Sequence, residues 1–309
     1  MTTFVFPGQG SQFVGMSKDF YENFKVSQEV FELISDITKI DIKEIIFKNS
    51  SNLLDQTKYT QLAIFCASTS IYKALINEID IHKLNIKFML GHSLGEYTAL
   101  AASKILSLED CSLLLKIRGE LMQNAFEPNL SGMAAIIGLN CENIYNIIQN
   151  KKLNLSIAND NSPQQIVISG IKKELINSEE IFKKSGAKKF ILLNVSAAFH
   201  SSLMNEAQEK MKEFINNSTF NNSKIAIISN FTANKSSNID TIKENLFKQM
   251  SNRVRWVESI QTLEKNNESK IIEVGPGKVL SGLIKRISDK FDIKNIEKIS
   301  DIESFKNGI

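Results

Sequence analysis

The most constraining stretch of this chain is Gly91-His92-Ser93-Leu94-Gly95. It follows an apolar run, Lys87-Phe88-Met89-Leu90, and leads into Glu96-Tyr97-Thr98-Ala99-Leu100-Ala101-Ala102. A G-x-S-x-G segment between a strand-like run and a helix-like run has the context of a nucleophile elbow. Such a turn forces the serine into a strained backbone conformation and leaves its hydroxyl exposed at the head of a helix, whose N-terminus favours a developing oxyanion. Outside that context the same five residues could be a glycine-rich turn that happens to carry a serine.

The chain has 309 residues, 42% of them hydrophobic and 23% charged, enough for one large domain or a large and a small one. A net charge of +3 does not argue for nucleic acid. The three cysteines show no metal-binding spacing and fit buried free thiols in a reducing cytoplasm. No signal peptide or run long enough to span a bilayer is legible. Neither metal nor cofactor is expected, nor contact with nucleic acid or membrane, and a monomer is expected.

Residues 3–6 read as a strand that breaks at Pro7-Gly8-Gln9-Gly10-Ser11-Gln12 before a helix over 17–35. This turn lacks the spacing of a nucleotide loop, and Gly275-Pro276-Gly277-Lys278 lacks the Ser or Thr that would complete one. A buried helix is expected over 59–78 and another from Ser107, its N-cap, to about 126. From 132 to 195 the pattern is strand, helix, strand (153–158), a turn at 159–163, strand (165–169), helix, strand (189–195). That β-α-β-β-α-β order is the ferredoxin-like split unit. The predicted fold is therefore α/β, a large domain with a parallel sheet (1–129 and 196–309) and an inserted ferredoxin-like small domain (130–195).

A serine nucleophile needs a base, usually histidine, and the chain has three. His92 adjoins Ser93, where neighbouring side chains diverge. His82 sits in a polar stretch. His200 lies on a loop after a strand, where a sheet presents functional groups, and is the expected base. Neither Asp110 nor Asp160 is placed to orient it, so a backbone carbonyl or an amide is expected in that role. Arg118 falls on the inward stripe with Cys111, Leu114, Leu115 and Met122. A buried guanidinium needs an anion, which is either a structural carboxylate or a carboxylate of the substrate.

Six motifs now stand in order along the chain: Phe6-Pro7-Gly8-Gln9-Gly10-Ser11-Gln12, Gly91-His92-Ser93-Leu94-Gly95-Glu96-Tyr97, Arg118-Gly119, Ser196-Ala197-Ala198-Phe199-His200, Arg253-Val254-Arg255-Trp256 and Glu273-Val274-Gly275-Pro276-Gly277-Lys278. Together they resemble the malonyl-CoA:acyl-carrier-protein transacylase family of fatty acid synthesis, over nearly the whole chain. The resemblance implies an α/β-hydrolase-like large domain carrying the ferredoxin-like insert. It implies Ser93 as the acylated nucleophile, His200 as its base, and the Gln9 and Leu94 N–H groups as oxyanion hole. Arg118 would hold the malonyl carboxylate, the Gln249 main-chain carbonyl would orient His200, and His92 and Gln61 would line the pocket. Phe199 fits the malonyl-selective pattern, in which a ring occupies the space of an α-methyl. Ala197-Ala198 departs from the family, where many members carry a proline.

The implied reaction is ping-pong transfer of malonyl from malonyl-CoA through Ser93 to the phosphopantetheine thiol of acyl carrier protein. An acidic carrier would favour a basic docking patch, with Lys188, Lys189, Arg253, Arg255, Lys285 and Arg286 as candidates. The rival readings are a discrete acyltransferase serving a polyketide synthase and a serine thioesterase or esterase.

Overall fold

The computed structural model describes residues 1–127 and 129–307. Its strands are β1 (Thr2–Phe6), β2 (Ile86–Gly91), β3 (Ser131–Ile137), β4 (Leu155–Ser162), β5 (Gln165–Ile171), β6 (Lys189–Leu192), β7 (Ala226–Ile228), β8 (Lys235–Ser236), β9 (Lys270–Val274) and β10 (Asp292–Ile296). They form two sheets, one ordered β10-β9-β1-β2-β7-β8 and one β4-β5-β3-β6. The first is parallel except for β8, and every pairing in the second is antiparallel. The fold is thus mixed α/β with a parallel-rich sheet and a separate antiparallel one.

Alternation along the central strands builds two cores at once, because successive strand side chains point to opposite faces. Phe4, Phe6 and Met89 join the cluster formed with the Lys25–Thr38, Thr57–Glu78 and Leu108–Gln123 helices. Val5, Phe88 and Leu90 face the other way, onto Trp256, Ile260 and Leu263 of the Trp256–Lys265 helix and Leu280 and Ile284 of the Val279–Ile287 helix. In the antiparallel sheet, Ala134, Ile136, Ile166 and Ile168 form a core with Ile144 and Ile148 of the Cys141–Asn150 helix and Leu175 and Phe182 of the Lys172–Lys184 helix. Its opposite face, with Met133, Ala135 and Val167, joins the main cluster and lines a cavity between the sheets.

Several expected boundaries shift. The turn expected at 159–163 is strand as far as Ser162. Asn159, Asp160 and Asn161 read as turn formers, but the Asp160 N–H donates to the Val254 carbonyl (2.9 Å) and the Val254 N–H to that of Ala158 (2.8 Å). Those bonds tie β4 to the segment before the Trp256–Lys265 helix, and with the pairing of Asn159, Asp160 and Ser162 to β5 they give buried polar residues an extended backbone. The strand expected over 189–195 stops at Leu192, and the helix expected over 17–35 breaks at Phe24, which is extended. β10, with the alternating Asp-Ile-Lys-Asn-Ile of an exposed edge, and the Ile42–Phe47 and Ile299–Lys306 helices were not foreseen.

Gly119 sets how closely two of the buried helices approach. A Cβ there would stand 2.8 Å from the Lys58 Cα, a backbone contact that no rotamer change relieves. Gly119→Ala should force the Leu108–Gln123 helix away from Thr57–Glu78 and cost about 1–3 kcal/mol, the usual cost of overpacking. Urea unfolding of the variant beside the parent measures this, and an unchanged midpoint would contradict the close approach.

Candidate active site

β2 ends at Gly91, and the Gly95–Ala102 helix begins four residues later. Ser93 sits between them in the left-handed region, at φ 52°. Such a conformation costs a non-glycine residue about 1–3 kcal/mol. Asn230, just after β7, offsets it: its Oδ1 accepts the Ser93 N–H at 2.6 Å, and its Nδ2 donates to the Gly91 carbonyl at 2.7 Å. Gly95 lets the turn press on the first strand, since a Cβ there would meet the Phe6 carbonyl oxygen at 2.2 Å. His200 is also left-handed, at φ 56°. Its loop is held by the Ala198 N–H on Ser131 Oγ (3.2 Å) and by Ser201 Oγ on the Ala198 carbonyl (2.7 Å), so Ala197-Ala198 leaves it anchored without a proline.

The two strained residues meet. His200 Nε2 lies 2.8 Å from Ser93 Oγ, and Nδ1 faces the carbonyl oxygens of Gln249 (2.9 Å) and Asn252 (3.2 Å). Those carbonyls only accept, so the ring proton sits on Nδ1 and Nε2 is the acceptor for the serine hydroxyl. Asp110 instead accepts from Ser107 at the start of its helix, Asp160 lies beside Arg253 and Cys141, and neither hydrogen-bonds to His200. His82 is exposed.

Arg118 is 1% exposed. Its Nη2 donates to Ser93 Oγ at 3.0 Å and Gln249 Oε1 at 2.9 Å, its Nη1 donates to Gln61 Oε1, and its guanidinium lies 5.5 Å from the centre of the Tyr97 ring. Among the described residues no Asp or Glu oxygen comes within 4.0 Å of it, and its buried Nε–H has no acceptor. A structural carboxylate in direct contact with it is therefore excluded.

Gln9, Leu94, His92, Phe199, Gln61 and Arg118 all border the cavity, of about 300 Å³, that holds Ser93 and His200. Among the described residues the N–H groups of Gln9 and Leu94 have no acceptor. His92 turns away from Ser93 toward the second sheet, with Nε2 2.8 Å from Asn161 Oδ1 and its ring 5.6 Å from that of Trp256. Of the candidate basic residues, Arg253 and Arg255 both bond Glu258 (2.7 and 2.9 Å). Lys188, Lys189, Lys285 and Arg286 are exposed, and Arg286 reaches Gln165 on the cavity wall.

Sequence reasoning missed Asn230, Asn161 and Glu96. Asn230 stands past the carboxyl end of a parallel strand, the edge where such sheets place ligands, and that position was the available signal. Glu96 stands inside the elbow motif, where no role was expected of it. It is 1% exposed and accepts from the Asn230 N–H (3.0 Å) and Gln249 Nε2 (2.8 Å).

Two buried groups shape the pH response. Burial, then the Arg118 charge, push His200 from 6.5 down to about 3, while burial pushes Glu96 from 4.5 up to about 7. For His200, the unfolded chain binds a proton that the native ring refuses. Its contribution to stability is full above 6.5 and is lost as pH falls toward 3. For Glu96, the native state keeps a proton that the unfolded chain releases, so its contribution is full below 4.5 and is lost as pH rises through 7. The two slopes oppose each other between pH 4.5 and 6.5. His200→Ala leaves only that of Glu96, so relative to the parent the variant should lose about 1.4 kcal/mol per pH unit as pH rises across this window. Urea midpoints at several pH values test this, and parallel curves for the two proteins would contradict it.

Known proteins resemble this chain over nearly its whole length. The acyl transferase domain family model matches residues 3–303. A Staphylococcus aureus (strain MRSA252) protein named malonyl CoA-acyl carrier protein transacylase is 36% identical over 307 residues, 98% of each chain. The crystal structure of an acyl-carrier-protein-S-malonyltransferase from Bartonella henselae superposes with a TM-score of 0.95 at 35% identity, covering 100% of this chain and 99% of that one. A malonyl-transacylase in complex with its type II PKS acyl-carrier protein gives 0.92 at 30% identity, covering 100% and 99%.

Proposed function

The chain belongs to the acyl transferase family, and we propose that it moves a malonyl group from malonyl-CoA to the phosphopantetheine thiol of an acyl carrier protein, through a malonyl ester on Ser93. The observation that carries this reading is Arg118: a buried guanidinium 3.0 Å from Ser93 Oγ whose bonded partners are all neutral oxygens. A charge so placed has no anion in direct contact, and a carboxylate on the acyl group supplies one. A simple hydrolase acting on neutral esters has no use for it.

In the proposed cycle Ser93 Oγ–H gives its proton to His200 Nε2 as Oγ attacks the thioester carbonyl. The Gln9 and Leu94 N–H groups receive the oxyanion. His200, its Nδ1–H held on the Gln249 carbonyl, returns the proton to the departing CoA sulfur. The carrier thiol then enters by the same path in reverse. The neutral resting state of His200 suits it to accept that proton, and the malonyl carboxylate, by offsetting Arg118, eases the charging of the ring. Phe199, His92 and Gln61 shape the acyl pocket, with Phe199 against an α-methyl, and no cofactor takes part.

The order β4-β5-β3-β6, with two helices on one face, supports reading 130–195 as a ferredoxin-like unit inserted into an α/β-hydrolase-like domain over 1–129 and 196–309. The exposed Lys188, Lys189, Lys285 and Arg286 would steer an acidic carrier to the cavity mouth. Free cysteines fit a cytoplasmic setting, and no helix among the described residues is long and apolar enough to cross a membrane. The likeness to a malonyl-transacylase bound to a polyketide carrier favours a second reading in which only the acceptor differs. Transfer assays against both kinds of carrier distinguish the two.

Incubation with malonyl-CoA should add one malonyl group to the intact mass, and Ser93→Ala should abolish the adduct. Arg118→Ala should lower malonyl transfer by about a hundredfold or more, in line with breaking a buried charged contact, while acetyl transfer persists or rises. Equal loss of both would make the arginine structural and overturn the proposal.

A further inference from the structure

Arg118 and Glu96 are both 1% exposed, carry opposite charges, and do not touch. A single amide joins them. Gln249 Oε1 accepts from Arg118 Nη2 at 2.9 Å, and Gln249 Nε2 donates to Glu96 Oε2 at 2.8 Å and to the Ser93 carbonyl at 3.0 Å. The groups facing the Glu96 carboxylate are Asn230 and Ser229 after β7 and Gln249 from the Ile239–Gln249 helix, and the cation acting on it is Arg118. Tyr97 and Ser93 flank it in sequence, and His200 lies beyond Gln249, on that residue's main-chain carbonyl.

A charge count follows. In the free protein one buried cation is balanced by one buried anion across the amide. A substrate carboxylate on Arg118 would leave two anions to one buried cation, which is costly. The hydrogen bonds from Asn230 and Gln249 converge on Oε2, and the Ser229 hydroxyl beside the carboxylate can donate to its charged form or accept from its neutral one, so the carboxylate can take a proton without breaking the first two. We propose that Glu96 is the resident counter-anion of Arg118 and takes a proton from solvent when a carboxylate-bearing acyl group occupies the guanidinium. This rests on the malonyl reading above. Burial already raises Glu96 to about 7, against the pull of its hydrogen bonds and of Arg118, so a second carboxylate need displace the balance only slightly. The linkage makes acyl choice pH-dependent: affinity for a malonyl thioester falls as pH rises through neutrality, and affinity for a neutral acyl thioester does not.

Titration calorimetry of the Ser93→Ala protein, which binds without turnover, tests this with malonyl-CoA and acetyl-CoA near pH 7 in two buffers of different ionisation enthalpy. The nucleotide phosphates are common to both ligands, so any difference in proton uptake belongs to the acyl carboxylate. Malonyl-CoA should take up roughly half a proton more than acetyl-CoA, and adding Glu96→Gln should remove the difference. Equal uptake for the two thioesters, or a difference that survives Glu96→Gln, overturns the inference. If Arg118→Ala weakens malonyl-CoA binding and the extra proton is still missing, this inference alone fails. Binding indifferent to Arg118→Ala overturns the malonyl reading and this one with it.

Discussion

The buried charge of Arg118 is the constraint around which the rest of the site is arranged. A guanidinium out of water needs partners for its donors, and here Nη1 and Nη2 find them in Gln61, Ser93 and Gln249 rather than in a carboxylate, while Nε–H has none. Each partner comes from a different element: the Thr57–Glu78 helix, the elbow, and the Ile239–Gln249 helix. One arginine thus ties together three segments far apart in sequence and, at the same time, marks the spot where an anion is wanted. The same charge depresses the basicity of His200 and pulls against the raised Glu96, so the electrostatics of the reacting pair and of the acyl pocket are one problem.

Both members of the reacting pair sit on strained backbone. Ser93 and His200 both adopt left-handed backbones, and both are held by side chains outside their own turns: Asn230 under Ser93, and Ser131 under the loop that carries His200. Gln249 contributes at two levels, its main chain to the His200 ring and its side chain to Arg118, Ser93 and Glu96. A single helix end therefore sets both the tautomer of the base and the position of the cation. The cavity itself forms because the antiparallel sheet turns its helix-free face toward the elbow and joins it through Asn161 and His92.

Much of this was legible locally. The elbow, the Ser107 N-cap, the inward stripe carrying Arg118 and the β-α-β-β-α-β order each follow from short-range pattern, because sterics and periodicity act over a few residues. Illegible were the features whose cause lies across the fold. Asn159-Asp160-Asn161 has turn-forming composition, and pairing with Gln165–Val167 of β5 on one side and with the segment at Val254 on the other makes it strand. That Arg253 and Arg255 share Glu258 is likewise set by how the segment before the Trp256–Lys265 helix is held. The burial of Glu96 is set by Asn230 and Gln249, which close over the start of its helix from distant parts of the chain.

The sequence by itself determined a serine on a strand–helix turn, a scarcity of histidines that left His200 as its partner, and an arginine on an apolar face. Those depend on residue type and local spacing. Only the tertiary structure decided what meets the arginine, since the absence of a touching carboxylate is a property of all the elements packed around it. It also decided that two opposite buried charges communicate through one amide, because Glu96, Arg118 and Gln249 are brought together by contacts between residues up to 153 positions apart.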